Sequence, residues 1–425
     1  MLLIYKTVDR MNKDEEIVEK LVKGEIKLRE VEKFTDNDSN KATNIRRMYL
    51  EKKYSVGLGK IGNSSIDFND AFNRNIENPI GAAQIPLGFA GELKVNGNYA
   101  NGNYPILLAT TEGRLVAGIS RGIKIFNEVG GVTSTIIKEG MARAPVVKVK
   151  SARDAVKLIN WIHSKEAFDF FKDIFYGSVK FAKLKEVKAY TAGRYVHIRF
   201  KSGTGAAMGM NMITVASRKA VDAMIPKVKE ELGLDVTFVS TTGNLCTDKK
   251  PAYMDVLEGR GVSVISEATI PKKLLEEKFR VTPEKVAELC RVKILQGSAL
   301  AGSHGFNAHV ANVLAAMYIA HGQDPAQIVE GSQAITDAMV VDGDLYVSCF
   351  LPALEVGTYG GGTKRETQQE ALRLLGLYGE GDDEGKTRLA FAEVVAAACL
   401  ASEVNLLAIE SAGELALTHG TLKRG

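Results

Sequence analysis

The sequence predicts an α+β protein in which a small unit interrupts a larger mixed unit. Residues 144–240 carry elements in the order β-α-β-β-α-β, and the apolar runs on both sides of them form the two halves of the larger unit. A polar stretch rich in helix formers precedes both and ends where the composition changes, at Glu77-Asn78-Pro79-Ile80-Gly81. We therefore expect a helical domain over 1–76, a large domain over 77–143 and 241–425, and a small inserted domain over 144–240.

The composition is that of an ordinary globular protein. Of 425 residues, 45% are hydrophobic and 25% are charged, and the net charge of +4 comes without a basic block, so we expect no nucleic-acid partner. The four cysteines form no CxxC pair, which argues against a zinc ribbon or a disulfide framework and favours a reducing compartment. Since no apolar run approaches the ~20 residues that span a bilayer, we expect a cytoplasmic protein without a membrane partner.

The N-terminal domain is expected to contain two helices. Residues 15–22 carry an apolar stripe at helical spacing that ends at Gly24, and residues 44–53 form the second helix.

The first half of the large domain places a carboxylate where a strand meets a helix. An apolar strand over 104–111 runs into Thr111-Glu112-Gly113, and a helix over 115–126 follows. This position suits a catalytic residue. The alternative is that Glu112 only stabilises the positive end of the helix.

The inserted segment has the element order of a ferredoxin-like domain. Ser151 and Asp154 resemble a capping box that opens the first helix. The predicted strands are 144–150, 181–190, 195–201 and 235–239, and the predicted helices end near residues 164 and 232.

A glycine-rich turn, 202–212, joins a strand of this segment to its long helix. Such a turn presents backbone N–H groups to an anion, with help from the helix dipole. Its glycines run G-x-G-x-x-x-G, one residue too long for the dinucleotide fingerprint. A purely structural turn, with methionines that serve core packing, is the alternative.

The loop 240–251 follows a short run, 236–239, that we expect to be a buried strand. The loop contains adjacent cations, Lys249 and Lys250, together with hydroxyl and amide side chains. It is either a solvated turn or a site that holds an anionic substrate and polarises a carbonyl.

The C-terminal half supplies further candidates. His309 and Asn312 lie three residues apart on the apolar helix predicted over 307–320, so they must be hydrogen-bonded there or line a site. A second glycine-rich turn over 357–363 and an apolar helix over 388–410 follow.

Seven motifs occur in one order: ENPIG at 77–81, ATTEG at 109–113, MGMNM at 208–212, GNLCTDKKP at 243–251, NAHVAN at 307–312, GQD at 322–324 and GTYGGGT at 357–363. With them, the sequence resembles the catalytic portion of the 3-hydroxy-3-methylglutaryl-coenzyme A (HMG-CoA) reductase family, class I, in a soluble archaeal-like form. The resemblance covers about residues 77–419. It implies NADPH-dependent reduction of HMG-CoA to mevalonate and CoA, with two NADPH per turnover and no metal.

The resemblance also implies the catalytic set. Lys249 would stabilise the oxygen that gains charge, and Glu112, with a raised pKa, would protonate it. Asp324 would orient Lys249 and raise the pKa of Glu112. His419, on a mobile tail, would protonate the departing CoA thiolate.

Binding residues follow from the same resemblance. The HMG group would be held by Arg143, Thr242, Asp248, Lys250, Lys293, His309 and Asn312, and the CoA phosphate by Arg121. The cofactor would contact Lys180, Gly205, Met208, Gly209, Met210, Asn211, Met212, Gly360, Gly361 and Gly362. The family is typically dimeric, with the site at the interface around ENPIG, so we expect a homodimer or a dimer of dimers.

Three positions depart from the family pattern. Ala206 replaces an aspartate near the nicotinamide, Thr242 replaces a serine, and Val179-Lys180 replaces a Ser-Arg pair near the 2′-phosphate. The alternatives are an NAD-linked degradative homologue and a non-catalytic CoA- or nucleotide-binding protein on the same fold.

Overall fold

The computed structural model describes residues 13–413, which fall into two compact units. The first unit runs to Pro86 and includes Lys364–Gln369. Its elements are helix α1 at 13–22, a 3-10 helix at Leu28–Phe34, α2 at Ser39–Tyr54, and the single turns α3 at Gly59–Gly62 and α4 at Phe68–Ala71.

The first unit has a small core of its own. Apolar side chains from α1, the 3-10 helix and α2 pack together, among them Leu21, Val31 and Ile45. Both predicted helices are confirmed. Helix α2 begins earlier than predicted because the side chain of Asp38 accepts hydrogen bonds from backbone N–H groups of its first turn.

The described residues of the second unit contribute ten strands to one continuous sheet. The strands are β1 Leu87–Gly97, β2 Asn101–Ala109, β3 Val132–Arg143, β4 Val146–Lys148, β5 Lys183–Ala192, β6 Tyr195–Gly203, β7 Thr237–Ser240, β8 Gly261–Ile270, β9 Ile335–Val341 and β10 Asp344–Leu354.

The sheet has two parts joined by β3. In the first part the order is β2-β1-β3-β8-β10-β9, and all pairs are antiparallel except β1 with β3. The end of β3 also pairs with β6, and the second part has the order β5-β6-β4-β7, with all pairs antiparallel.

Helices pack on both parts of the sheet, for example α5 on the first part and α7 on the second. The described helices after Pro86 are α5 Leu115–Glu128, α6 Ala152–Ile162, α7 Lys165–Ser178, α8 Met210–Leu232, α9 Tyr253–Glu258, α10 Lys272–Phe279, α11 Pro283–Leu289, α12 Ser298–Ala301, α13 Val310–Ala320, α14 Ile328–Gly331, α15 Glu366–Leu374 and α16 Lys386–Ser411. A π-helix at Cys290–Gly297 joins α11 to α12, and 3-10 turns lie at Pro325–Gln327 and Gly361–Lys364.

Helix α16 is the centre of the larger hydrophobic core. It packs against α5, α13 and strand β8. Among residues 13–413 it alone is long and apolar enough to cross a membrane, yet 89% of its apolar window is buried inside the protein. This burial is what a core helix requires.

The segment from β4 to β7 has a separate hydrophobic core, in which Phe171, Phe175 and Phe200 pack together. The predicted order β-α-β-β-α-β is present with one additional helix, α7. The prediction that 236–239 is a buried strand was wrong: β7 lies at the sheet edge, and half of its side chains are exposed. The α+β class is confirmed, whereas the domain boundaries remain predictions.

Candidate active site

The loop that carries Lys249 is held in an unusual backbone conformation. Asn244, Thr247 and Lys249 all have positive φ angles, of 62°, 61° and 58°. Residues other than glycine adopt such positive φ angles only when contacts with the surrounding structure hold the backbone there. The hydroxyl of Thr247 donates to the buried carboxylate of Asp255, and the N–H of Lys249 donates to Glu330. The loop is therefore fixed from within the protein and is not a simple solvated turn.

An ion pair defines the direction of the Lys249 side chain. Its Nζ lies 2.9 Å from Oδ2 of Asp324. This hydrogen bond raises the pKa of Lys249, so the amine stays charged. Asp324 is itself fixed, because its other oxygen accepts a hydrogen bond from the N–H of Ala326 and caps the turn Pro325–Gln327.

A buried arginine lies beneath this loop. The side chain of Arg260 has no exposed surface; Nη2 lies 3.0 Å from Asp248 and Nη1 lies 3.0 Å from Glu330, while Glu355 is in contact with Nη1. Burial raises the pKa of both glutamates, and the guanidinium opposes that rise.

Among residues 13–413, the three carboxylates around Arg260 are spaced closely enough to hold a metal ion. The guanidinium already contacts all of them, so a cation would meet like charge at this position. The expected absence of a metal remains a prediction.

Lys249 and Asp324 line a cavity of about 500 Å³, which we call the lysine cavity. Two glycine-rich segments form its other walls, Met208–Met212 and Gly360–Gly362. The remaining lining residues include Arg143, Asp248, Gln327, Glu355 and Tyr359.

Close backbone packing shapes the glycine walls of the lysine cavity. Gly209 precedes α8 with φ of +96°, and a Cβ there would collide with the side chain of Thr204. The side chain of Gln323 pairs with both backbone groups of Gly357, at 2.7 and 2.9 Å, and so fixes the second turn beside Asp324. The N-terminus of α8 and open backbone on the facing turn create a cradle suited to an anionic ligand.

A second cavity, of about 410 Å³, contains Glu112 and is called the Glu112 cavity. Asn312 Nδ2 lies 3.3 Å from Glu112 Oε1 and 3.4 Å from His309 Nδ1, and His309 Nε2 lies 2.9 Å from the hydroxyl of Ser402. Arg121 also lines this cavity; its guanidinium stacks over Phe279 at 4.7 Å.

The structure corrects one placement in this cavity. His309 is not inside a helix, as the sequence predicted, but is the N-cap residue of α13. The buried carboxylate of Glu403 accepts hydrogen bonds from the N–H groups of Ala308 and His309, at 2.7 and 2.8 Å. Because these N–H groups are bonded outside the helix, α13 begins only after His309.

The sequence-predicted residues thus divide into two groups within one chain. The two cavities share no lining residue: Lys249, Asp324, Arg143 and Asp248 belong to the lysine cavity, whereas Glu112, Arg121, His309 and Asn312 belong to the Glu112 cavity. Within one chain, Asp324 and Glu112 line different cavities.

Other predicted residues are not among those that line the two cavities. Lys293, on the π-helix, pairs at 2.6 Å with Glu410, which lines the Glu112 cavity. Lys250 is exposed and donates to the backbone of Asp248, and the hydroxyl of Thr242 lies 3.1 Å from Cys246 Sγ. Gly205 and Lys180 do not line the lysine cavity; Lys180 is 77% exposed and lies 3.8 Å from Asp383. His419 lies outside the described residues.

Sequence reasoning missed five residues that support the two cavities. Arg260, Glu330 and Glu355 lie beneath the loop that carries Lys249, Gln323 holds the second glycine-rich turn, and Glu403 holds the start of α13. The sequence contained a signal for two of these residues. Glu355 and Glu403 stand alone in apolar runs, where a charge is retained only if it is bonded. Glu330 gave no such signal.

Comparison with known proteins gives a consistent result. The family model described as "Hydroxymethylglutaryl-coenzyme A reductase" matches residues 42–424. The 3-hydroxy-3-methylglutaryl-coenzyme A reductases of Pyrococcus abyssi and Pyrococcus horikoshii are 47% and 48% identical to this chain over 412 residues, which is 96% of the chain and 99% and 98% of those proteins. A class II 3-hydroxy-3-methylglutaryl-CoA reductase from Streptococcus pneumoniae, solved bound to NADPH, superposes with a TM-score of 0.61 at 19% identity, covering 86% of this chain and 96% of that one.

The glycine cradle generates a specific prediction. Gly209→Ala should weaken the affinity for a nicotinamide nucleotide by about tenfold or more, because the added Cβ displaces the turn that forms the cavity wall. Gly193→Ala is the matched control: Gly193 also has positive φ, +68°, but a Cβ there meets nothing within 4 Å. Fluorescence titration with NADPH measures both. Equal affinities for the two variants would contradict this role of the turn.

Proposed function

The chain belongs to the hydroxymethylglutaryl-coenzyme A reductase family and is an oxidoreductase, and we propose that it reduces HMG-CoA to mevalonate and CoA with two NADPH. One observation of the site carries this proposal. The Lys249–Asp324 ion pair lies in the same cavity as the glycine cradle, so a charged amine faces the place where a nucleotide would bind.

The cradle fits a nicotinamide nucleotide. The wall at Gly209 leaves no space for a side chain, and Gly360 and Gly361 face open space with positive φ angles, as close approach of a ligand to the backbone requires. Met208–Met212 and Gly360–Gly362 would hold NADPH, and Gly205 would support the turn. NADPH, when bound, supplies the hydride. Lys180 would contact the 2′-phosphate, as a single charge without the bidentate geometry of arginine.

Lys249 acts on the carbonyl oxygen of the substrate. As hydride reaches the carbon, this oxygen gains negative charge, and an ammonium held in place beforehand stabilises it without reorganisation. Asp324 keeps that ammonium charged and directed into the cavity. Arg143 and Asp248, which lie 3.7 Å apart, would position the HMG group together with Thr242 and Lys250.

The Glu112 cavity supplies the other half of the site. Glu112 would deliver the proton to the substrate oxygen, and His309, Asn312 and Lys293 would bind the HMG group. Arg121 would bind a CoA phosphate. Because these residues and Lys249 line cavities without a common residue, we propose that the two halves meet across two copies of the chain. The active protein would then be a homodimer or a dimer of dimers.

Four further assignments belong to this proposal. His419 protonates the CoA thiolate as it leaves. The chain is of the class I form, as its motifs indicate, and works in the cytoplasm. The segment 144–240 is a ferredoxin-like cofactor domain inserted in the substrate domain of 77–143 and 241–425, and 1–76 is the helical domain.

The direct test measures how many NADPH molecules are oxidised for each CoA released. Purified protein with HMG-CoA should oxidise two NADPH for each CoA thiol released, followed by absorbance of the reduced nicotinamide and by thiol titration. Oxidation of mevalonate with NAD, but no reduction of HMG-CoA, would instead identify the degradative activity. Binding of CoA or nucleotide without turnover in either direction would identify a binding protein.

The Lys249–Asp324 pair predicts a change in pH dependence. In the wild type the carboxylate raises the pKa of Lys249, so the ammonium is lost only in strong alkali. Asp324→Asn removes this cause, so Lys249 loses its proton at lower pH and the alkaline limb of the kcat profile should move to lower pH. Mevaldehyde is the substrate to use, because the thioester hydrolyses in alkali.

Asp38→Asn serves as the control for this prediction, since Asp38 is also a helix N-cap residue whose side chain accepts backbone hydrogen bonds. It should leave the profile unchanged. An alkaline limb that stays in place for Asp324→Asn would show that loss of the Lys249 proton does not set this limb.

A further inference from the structure

Lys249 needs an external contact to keep its backbone conformation. A φ of 58° is strained at a non-glycine residue, because it lies in the left-handed region where a Cβ is crowded by the backbone. Hydrogen bonds inside the loop join Thr247 to Asn244 and Lys250 to Thr247 and use none of the backbone groups of Lys249. The N–H of Lys249 donates instead to Oε1 of Glu330, which lies far away in the sequence.

Glu330 and Asp324 are parts of the same short segment. Asp324 caps the turn Pro325–Gln327, and α14, Ile328–Gly331, follows at once and contains Glu330. One end of this segment holds the side-chain amine of Lys249 and the other end holds its backbone. The segment therefore holds both the backbone N–H and the side-chain amine of Lys249 in place.

Glu330 is itself immobilised. It has no exposed surface, and the oxygen that accepts the Lys249 N–H also accepts a hydrogen bond of 3.0 Å from Nη1 of Arg260. The same guanidinium binds Asp248, the residue before Lys249, through Nη2. A buried carboxylate bonded in this way has little freedom to move, so the position of its oxygen is well defined.

We propose that Glu330 is a positioning residue of the reduction: its carboxylate holds the Lys249 backbone so that the ammonium points at Asp324 and into the lysine cavity. Glu330 does not line that cavity, so it acts through the residues that it bonds, Lys249 and Arg260. The inference rests on the proposed function, since it concerns the same lysine, and it adds a residue that touches neither substrate nor cofactor.

Three variants test the position of the acceptor oxygen. Glu330→Leu has a similar size but no acceptor, so the loop should relax and kcat should fall by about tenfold to a hundredfold, the effect of misplacing a catalytic group by about 1 Å. Glu330→Asp keeps the charge near Arg260 but withdraws the oxygen by one methylene, and should also lower kcat. Glu330→Gln keeps an oxygen at the same place, and its kcat should return to within about threefold of the wild type.

The control is Glu393, a buried glutamate that also accepts hydrogen bonds from backbone N–H groups but lines neither cavity. Glu393 has no exposed surface, and it accepts hydrogen bonds from the N–H groups of Asn98, Tyr99 and Ala100 in the turn between β1 and β2. Glu393→Leu should lower the melting temperature as Glu330→Leu does, but should leave kcat unchanged.

The measurement is kcat and KM for HMG-CoA and NADPH, with melting temperatures, for the wild type and all four variants. The expected pattern is a loss of kcat in Glu330→Leu and Glu330→Asp, with KM for NADPH within about threefold of the wild type, because Glu330 itself bonds Lys249 and Arg260 and no residue of the glycine cradle. If Glu330→Leu fails to fold, Glu330→Asp and Glu330→Gln decide the question.

One kind of result would contradict only the positioning role of Glu330, and another would contradict the proposed function as well. An active wild type with unchanged kcat in Glu330→Asp, or with Glu330→Gln as impaired as Glu330→Asp, would overturn the positioning role alone. A folded wild type that oxidises no NADPH with HMG-CoA would overturn the proposed function and the positioning role together.

Discussion

The buried guanidinium of Arg260 is the contact on which the geometry of the lysine cavity depends. It connects four separate parts of the chain: Asp248 in the loop 240–251 (the lysine loop), Glu330 in α14, Glu355 after β10, and the sulfur of Met210, 2.9 Å away, at the start of α8. Removing one partner of such a group leaves an uncompensated buried charge and costs several kcal/mol, although a fully apolar replacement of the whole cluster could be as stable. The cluster therefore contributes position more than stability: it sets the lysine loop and the glycine cradle at a defined separation.

Burial in the cluster favours the protonated form of Glu330 and of Glu355. Three carboxylates face one guanidinium, and burial raises the pKa of Glu330 and of Glu355. Lys249, only half buried, lies outside this group and is charged because Asp324 faces it. The site thus separates a fixed interior network from an exposed, charged amine, an arrangement that lets substrate enter without disturbing the support.

The sequence predicts the long elements well and the site only in pieces. Helices α5, α8 and α16 follow from long periodic or apolar runs, and the capping residue Ser151 fixes the start of α6, where it accepts a hydrogen bond from the N–H of Asp154. Strand β7 was mistaken for a buried strand because apolar residues alone do not distinguish a central strand from an edge strand. His309 was assigned to the helix because its N–H donates to Glu403, 94 residues away, and this distant contact, which places the start of the helix after His309, leaves no local pattern.

The same limit applies to the candidate site. Motif order identifies Lys249, Asp324 and Glu112, and the ion pair between the first two has the expected geometry. The contact between Glu330 and Lys249 spans 81 residues, and no local pattern announces it. Nor does the sequence place Glu112 in a different cavity from Lys249, because that division depends on how the sheet and α13 are arranged.

The claim that a complete site needs two copies of the chain is tested most directly by subunit complementation. Glu112→Gln and Lys249→Met, each expected to be inactive alone, are co-expressed with different tags, and the mixed dimer is isolated and assayed for HMG-CoA-dependent NADPH oxidation. If Glu112 and Lys249 of one site come from different subunits, the isolated mixed dimer should regain about half of the wild-type activity, because one of its two sites is intact. A mixed dimer as inactive as its parents would contradict the account and place both residues in one chain.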